Sequence, residues 1–428
     1  MKRYISFGKY NKLYKYIWIV VSIRLIIDYL YTDNFPEQMR PNFLSAQNFP
    51  SSFIIEDLFI YITTMILAIF IYIYESRQYK KIREDDNNEL SSSQSSIKLI
   101  HNQMLPGNIN MKTVICICLL SIVSIETIFV IMFHSLDTMV YWSLDLFFIG
   151  YINLIVFGIP LYSHKKFAII FILIFSGLFQ LLSSYEVLFN EDFDSFFKFH
   201  IIFIPIITIS YMLLSIARYY SLSRIKWLLD FRGISLSIFL IGYSALGVFI
   251  TIIVGLITSY NKCPDKSQFK GINYICSVEI KKDNYIEYYY DNFSYFFEKL
   301  WKKEESIGVN FVYFFLYIIK LFLNSLRLLY SFLLIKNLNT EYYQCSFEIY
   351  FIILNIFGLI KVILNGENIK LQIYILLGQI AALIGLMIYL ELIEIKVHNL
   401  DKNVKRYIEM RSMNEFNSLN ELNEEKDI

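Results

Sequence analysis

The sequence predicts an all-α, polytopic membrane protein with about ten transmembrane helices. Of its 428 residues, 56% are hydrophobic and only 18% are charged, whereas a soluble domain is about one quarter charged. Several apolar runs approach or exceed the roughly 20 residues that a helix needs to cross the hydrocarbon core. Because lipid offers the backbone no hydrogen-bond partners, runs of this length are expected to be helices.

Ten candidate spans follow one another along the chain. They cover residues 16–31, 53–74, 111–133, 139–162, 166–185, 199–215, 234–260, 309–335, 346–364 and 371–395. The chain is thereby divided into a cytosolic N-terminus (1–15), helices 1–2 (16–74), a disordered cytosolic insert (75–110), helices 3–6 (111–215), a basic cytosolic loop (216–233), helix 7 (234–260), a lumenal or extracellular loop (261–308), helices 8–10 (309–395) and a cytosolic tail (396–428). The first span is expected to act as an uncleaved anchor.

The segment at residues 218–260 fixes the orientation. Its first part, RYYSLSRIKWLLDFRG, is basic, and the second part, residues 234–260, is long enough to cross a bilayer. With the basic part in the cytosol and both termini there too, most loop lysines and arginines lie on the cytosolic side, as the positive-inside rule requires. The exception is the lysine-rich loop 261–308, where acidic residues match the lysines.

Two features of loop 261–308 indicate the lumenal or extracellular side. Asn292 begins an Asn-Phe-Ser glycosylation sequon. Cys263 and Cys276 lie in the same loop and could form a disulfide, which persists only in an oxidising compartment. The predicted locations are an endomembrane, Golgi or ER, or the plasma membrane.

Several classes of function find no support in the chain. The formal net charge of +1 gives no case for nucleic-acid binding. The patterns HExxH, GxSxG, Walker A and GxGxxG are absent, and the five cysteines form no zinc pattern. We therefore predict no catalytic residue, no metal site, no cofactor and no enzymatic activity.

Ionisable residues inside the spans are the candidate functional residues. Each costs about 2.5–3.5 kcal/mol at a helix centre on insertion scales and should face the bundle interior. Lys320, Asn324 and Arg327 share one face of the eighth span. In one interpretation they bind an anionic solute, while Glu126 or Asp145 gates the site or carries a proton. In the other, Lys320 and Arg327 pair with Glu126 and Asp145 to hold the bundle together, or extend their charged ends to a membrane interface.

Other polar and small residues favour structural roles. Arg24 and Asp28 are spaced i, i+4 and are predicted to pair with one another. Glu56 and Asp57 begin the second span and are expected at the interface. The glycines at positions 242, 247, 378 and 385 predict close helix packing.

The chain resembles the drug/metabolite transporter superfamily, in particular its nucleotide-sugar-transporter-like branch. The segments that carry the resemblance are IKWLLDFRGISLSIFLIGYSALGVF, LYSHKKFAIIFILIFSGLF and LMIYLELIEIKVHNLDKNVKRYIEMR; the last is also similar to uncharacterised ten-span protist and fungal proteins. The resemblance implies two five-helix repeats. Tyr243 stands where the branch often has an acidic residue.

The leading functional prediction is a secondary transporter of a small organic anion working by alternating access, with the bilayer and a small solute as partners and a homo-oligomer as one arrangement. The alternative is a non-transporting membrane scaffold or assembly factor. A weaker alternative is a membrane-embedded enzyme.

Overall fold

A computed structural model describes the chain at residues 5–7, 14–31, 54–89, 111–134, 138–158, 161–190, 193–260, 276–281, 284–289, 293, 296–297, 307–365 and 369–395. These residues are almost entirely helical. The ten long helices are α1 (Lys15–Tyr31), α2 (Ile54–Glu89), α3 (Met111–His134), α4 (Thr138–Phe157), α5 (Ser163–Asn190), α6 (Phe193–Lys226), α7 (Leu236–Tyr260), α8 (Ile307–Asn337), α9 (Thr340–Asn365) and α10 (Ile369–Tyr389). The four short strands are β1 (Ile5–Phe7), β2 (Cys276–Lys281), β3 (Asn284–Tyr289) and β4 (Ile393–Ile395).

Five stretches within the described helices are long and apolar enough to cross a membrane. They are Ile55–Gln78, Leu236–Ile257, Asn310–Asn337, Thr340–Asn365 and Ile369–Tyr389. Large apolar side chains, among them Phe70, Ile155 and Phe315, point out of the bundle, as expected of a surface that faces lipid. The chain is therefore a helical membrane protein, and the count of ten crossings stays a prediction.

Three predicted boundaries are wrong. The insert 75–110 is not wholly irregular, because α2 runs on to Glu89 through a segment that contains neither glycine nor proline. The loop 216–233 is not a loop at its start, since α6 continues to Lys226 and a π-helical turn covers Trp227–Phe231. The tenth span ends at Tyr389 rather than residue 395, because Glu391 has a positive φ and the chain turns into β4.

Lys226 shows why α6 extends beyond the predicted span. Its amine donates to the backbone carbonyls of Lys336 (3.2 Å) and Leu338 (2.7 Å). The last carbonyls of a helix have no partner within it, so this lysine satisfies the end of α8. A basic residue that hydropathy assigns to water is thus used inside the bundle.

Eleven pairs of the described helices form the main contacts of the bundle. The most extensive are α2 with α7 and α5 with α10; the others are α1 with α8 and α9, α2 with α8, α3 with α6 and α7, α4 with α5 and α6, α8 with α9, and α9 with α10. Glycines allow the two most extensive contacts, as predicted for two of them: a Cβ on Gly247 would lie 2.6 Å from the Tyr61 ring, and one on Gly385 would lie 2.2 Å from Ile172. The prediction is wrong for Gly242, where a Cβ would meet nothing within 4 Å.

Short antiparallel ladders complete the fold. β1 pairs with β4, so that Ser6 lies opposite Glu394. The start of the chain and the end of α10 therefore meet at one end of the bundle. β2 and β3 form a hairpin within the predicted lumenal loop. Asn292 and Cys263 lie outside the described residues, so the sequon and the disulfide stay predictions.

Candidate functional site

A cavity of about 210 Å³, lined in part by charged side chains, lies where seven of the described helices meet: α1, α2, α3, α6, α7, α8 and α9. Its lining combines charged and aromatic side chains with a few aliphatic ones. The residues that line it are Arg24, Ile27, Asp28, Asp57, Ile60, Tyr61, Ile125, Arg218, Tyr243, Arg327, Leu328, Ser331, Tyr343, Phe347, Tyr350 and Phe351. Charges excluded from lipid thus gather around a space inside the bundle.

Three arginines on three different helices supply positive charge to the cavity. Arg24 lies on α1, Arg218 on α6 and Arg327 on α8. Arg24 and Arg218 are only 7% and 8% exposed, and in the described part of the chain the Nε of each has no hydrogen-bond partner. A buried donor without a partner is costly, so both guanidinium groups have capacity to bind an acceptor placed in the cavity.

Phe347 of α9 positions two of these arginines. The guanidinium carbon of Arg24 lies 3.4 Å from the centre of its ring, and that of Arg218 lies 5.4 Å away. Cation–π contact is attractive but leaves the charge of the cation in place. The two guanidinium groups are therefore held near each other while remaining able to bind an anion.

Two carboxylates, Asp28 and Asp57, also line the cavity. The hydroxyl of Tyr350 donates a hydrogen bond to Asp28, so a neutral donor satisfies part of this acid. Three guanidinium groups against two carboxylates leave the lining with one excess positive charge. Its chemistry suits a small anion, because guanidinium groups pair with carboxylate and phosphate oxygens in bidentate geometry.

No family model matches this chain, and no curated protein is significantly similar to it. The geometry of the cavity is therefore the basis for assigning a function. Among the described residues, no group of three or more His, Cys, Asp or Glu side chains is placed to hold a metal ion.

The three predicted residues on the eighth span are separated by the structure. Arg327 lines the cavity. Lys320 is ion-paired with Glu56 at 2.8 Å, and the Asn324 amide donates to the Lys320 backbone carbonyl at 3.1 Å. Residues on one helix face differ in depth by about 1.5 Å per residue, so Lys320 lies about 10 Å along the axis from Arg327 and reaches a different partner. Glu56, expected at the interface, is that partner.

Asp145, one of the two predicted acids, is not among the described residues that line the cavity. Asp145 is buried between α4 and α6, where it accepts hydrogen bonds from Tyr219 (2.8 Å) and Tyr211 (3.3 Å). Glu126 lies in α3, and its side chain is outside the described residues. Lys320 was expected to pair with Glu126 or Asp145, and it forms its ion pair with Glu56 instead.

Arg24 and Arg218 were not among the predicted binding residues. The i, i+4 spacing assigned Arg24 to a local pair with Asp28, and the basic composition of residues 218–233 assigned Arg218 to a loop. An internal similarity gives a signal that could have shown the relation between the halves: residues 143–149 read SLDLFFI and residues 346–352 read SFEIYFI. The matched acids are Asp145 and Glu348, both buried.

A second buried polar group lies around Glu341, at the start of α9. Asn153 donates to its Oε1 at 2.8 Å, Asn339 donates to its Oε2 at 3.0 Å, and the Lys165 amine lies 3.6 Å from Oε1. The carboxylate has both a cation and hydrogen-bond donors. This arrangement joins α4, α5 and α9 and satisfies a buried charge, so we assign it a structural role.

Proposed function

We propose that the protein is a secondary transporter that carries a small organic anion across an endomembrane or the plasma membrane by alternating access. The observation that carries the proposal is the cavity in which Arg24, Arg218 and Arg327 gather between helices. A purely structural bundle would be expected to neutralise such charges with buried ion pairs. Here two of the three arginines stack on one phenyl ring, and of these two Arg218 also lies near the buried Asp145.

The proposal includes ten membrane crossings. Five described stretches have the length and composition to cross, and the other five long helices alternate with or flank them in the same bundle. An even number of crossings returns the chain to the side where it began. The pairing of β1 with β4, which joins residues 5–7 to residues 393–395, supports an even number.

The helix contacts support two five-helix repeats. In such a repeat, α1–α5 correspond in order to α6–α10. The contact α1–α8 then corresponds to α6–α3, α1–α9 to α6–α4, α2–α8 to α7–α3, and α4–α5 to α9–α10. All of these helix pairs are in contact. The two most extensive contacts, α2–α7 and α5–α10, join equivalent helices. Because five is an odd number of crossings, the second repeat would be inverted in the membrane.

The cavity lies at the interface between these repeats. Arg24 on α1 and Arg218 on α6 belong to equivalent helices, as do Tyr61 on α2 and Tyr243 on α7, whose ring centres are 6.1 Å apart. Secondary transporters built from inverted repeats place their substrate site at that interface. In this proposal one repeat rocks against the other around the arginines.

The size of the cavity restricts the class of anion. A volume of about 210 Å³ is below the roughly 300–1,000 Å³ of pockets for drug-sized ligands. A nucleotide sugar is at least that large, so the cavity favours a small carboxylate or phosphate ester. The substrate proposed for this chain therefore differs from that implied by the branch it resembles.

Uptake into proteoliposomes tests the proposal. Purified protein is reconstituted and supplied with a mixture of radiolabelled small carboxylates and phosphate esters. Replacing Arg24, Arg218 or Arg327 by Gln should each reduce uptake tenfold or more, because hydrogen bonds to charged groups contribute about 1.5–3 kcal/mol each. The matched control is the double variant Lys320→Met, Glu56→Gln, which removes a charge pair outside the cavity.

Two results would count against transport. Native protein that folds but takes up none of the mixture, or uptake that is indifferent to all three arginine variants, would favour the scaffold interpretation. Loss of uptake in the control to the same degree as in the arginine variants would show a general effect on folding.

A further inference from the structure

A chain of four buried side chains links two acids across three helices. The Tyr219 hydroxyl of α6 lies 2.8 Å from Oδ2 of Asp145 on α4 and 2.8 Å from Oε1 of Gln344 on α9. The side-chain nitrogen of Gln344 then lies 3.1 Å from Oε1 of Glu348, one turn further along α9. All four residues are at most 4% exposed.

The number of hydrogens in this chain is constrained. A tyrosine hydroxyl has one proton, yet Tyr219 faces two acceptor oxygens at 2.8 Å. If Asp145 is protonated, it donates to Tyr219, Tyr219 donates to Gln344, and the Gln344 amide donates to an ionised Glu348. Every contact is then a hydrogen bond.

The alternative arrangement needs the same number of protons. If Asp145 is ionised, Tyr219 donates to it, and the Gln344 amide must turn its nitrogen toward Tyr219. Amide oxygen and nitrogen exchange places in such a turn, so the amide oxygen then faces Glu348. Glu348 must be protonated to donate to it. In both arrangements one of the two acids must carry a proton and the other needs none, whereas two carboxylates would leave one contact without a hydrogen.

The surroundings distinguish the two acids in this conformation. Asp145 accepts from two tyrosines and lies near the positive charge of Arg218. Glu348 has one hydrogen bond in the described structure, and its buried Oε2 has no partner there. A buried carboxyl with few donors favours the neutral form, so the structure assigns the proton to Glu348 here, with the Gln344 amide turned so that its nitrogen faces Tyr219 and its oxygen faces Glu348.

Other ionisable groups lie near the four hydrogen-bonded side chains, on several helices. From α6, Arg218, Tyr211 and Tyr219 face Asp145, and on α9 the Cys345 thiol lies near Glu348. The arginines of α1 and α8 line the neighbouring cavity.

Lys165 of α5 and Tyr389 of α10 lie in a different cluster. The Lys165 amine lies 4.7 Å from the centre of the Tyr389 ring and 3.6 Å from Glu341. Glu341 precedes Glu348 by about two helical turns, so these groups serve the separate structural cluster.

We propose that Asp145 and Glu348 form a single-proton site, in which Tyr219 and Gln344 let either acid hold the proton, and that this proton is the ion coupled to anion transport. The coupling role rests on the proposed function; the shared proton does not. The two acids occupy matching positions in SLDLFFI and SFEIYFI, on the equivalent helices α4 and α9.

The repeat explains how such a site could move a proton. Equivalent residues of an inverted repeat exchange environments when the transporter changes from outward-open to inward-open. In one change of state an O–H bond forms at one carboxylate with a proton from water on one side, and the O–H bond at the other acid breaks, releasing its proton to the opposite side. On the return change the remaining proton passes back along Tyr219 and Gln344, each group passing on one hydrogen as it receives another, so that an O–H bond breaks at the first acid and forms again at the second. One proton has then crossed, and the charge of the pair is minus one in both end states.

Infrared spectroscopy tests the shared proton without any substrate. The C=O stretch of a protonated carboxyl is resolved from that of a carboxylate, and difference spectra between native and variant protein count the protonated groups lost. Asp145→Asn and Glu348→Gln should each remove one carboxyl band, because each amide supplies the donor that the proton supplied before. The double variant should remove one band and not two.

Glu341→Gln alters a buried acid of the same helix that is paired with Lys165, and it should remove no carboxyl band. Bands that disappear additively would show two independent protonated acids, and no band lost in either single variant would show two carboxylates; each result overturns the proposal. Should an amide variant fail to fold, Tyr219→Phe removes the hydroxyl that connects Asp145 to Gln344. The difference spectrum between this variant and the native protein should then show a change at one carboxyl only.

Proton flux tests the coupling separately. Proteoliposomes with a trapped pH-sensitive dye report proton entry when the radiolabelled anion mixture is added. Asp145→Asn and Glu348→Gln should abolish accumulation driven by a pH gradient while keeping exchange of internal for external anion. If native protein transports no anion, the proposed function fails and the infrared result still decides the site; if accumulation survives in both variants, the coupling is wrong.

Discussion

The side-chain amine of Lys320 lies 2.8 Å from Oε1 of Glu56, and this largely buried ion pair joins α8 to α2. Lys320→Met should destabilise the protein by about 3–5 kcal/mol, because it leaves a buried carboxylate without its cation. The double variant Lys320→Met, Glu56→Gln should recover most of that loss. Thermal unfolding in detergent measures the stability of both variants. A double variant as unstable as the single one would contradict the explanation that an unpaired buried carboxylate causes the loss of stability.

Phe347 should control anion affinity through the two arginines it positions. Phe347→Leu removes the ring face that Arg24 and Arg218 contact, and a desolvated cation–π contact is worth about 2 kcal/mol. We expect a roughly 30-fold weaker apparent affinity for the transported anion. Phe347→Tyr keeps the ring and serves as the control; equal affinities for the two variants would exclude this positioning role.

Close helix packing can be tested at two glycines with opposite surroundings. A Cβ on Gly385 of α10 would lie 2.2 Å from Ile172 and 3.3 Å from the Ala168 carbonyl of α5, whereas one on Gly242 of α7 meets nothing within 4 Å. Gly385→Ala should lower thermal stability by about 1–3 kcal/mol through overpacking. Gly242→Ala should be neutral or stabilise by up to about 1 kcal/mol, because alanine favours helix more than glycine does. Equal effects at both positions would contradict the packing between α5 and α10.

The pairing of β1 with β4 predicts a crosslink between the ends of the bundle. Ser6 lies directly opposite Glu394, and opposite residues of an antiparallel pair have Cβ atoms about 4.5–5.5 Å apart, close to the spacing of a disulfide. Ser6→Cys combined with Glu394→Cys should form a disulfide under mild oxidation, detected by mass spectrometry of the linked peptides. Ser6→Cys combined with Asn284→Cys, a position in the hairpin of loop 261–308, should form none.

The same cysteine positions test the sidedness of the membrane. A thiol reagent that cannot cross a bilayer should label position 6 and position 394 from one side of sealed vesicles and position 284 from the other. Labelling of positions 6 and 394 from opposite sides would require an odd number of crossings and would contradict the ten-span arrangement.

The positions of the helices could be predicted from hydropathy, and the positions of their charges could not. Each of the ten predicted spans falls largely within one described helix, because burial in lipid depends on a local average of apolar side chains. Arg218 and Lys226 were assigned to water for the same reason: averaging treats a charge as a sign of solvent. Their partners, Phe347 and the end of α8, are more than 100 residues away in sequence.

Glu56 and Lys320 show the same limit for ion pairs. The sequence identified Lys320 as a buried cation, but its partner depends on the depth at which α2 and α8 cross. One long-range relation could be found from the sequence alone: the internal similarity of the segments around Asp145 and Glu348. It is visible in the order of the residues and does not depend on knowing their contacts.

In the five-helix repeat proposed above, the contacts between equivalent helices have a consequence for the origin of the chain. Since α2 packs on α7 and α5 packs on α10, the surfaces that join the halves complement copies of themselves, as in a two-fold dimer. A five-helix ancestor that inserted in both orientations would already have possessed these contacts between two separate molecules. Gene duplication and fusion would then have needed only the short connection between Asn190 and Phe193 to turn an antiparallel pair into one polypeptide.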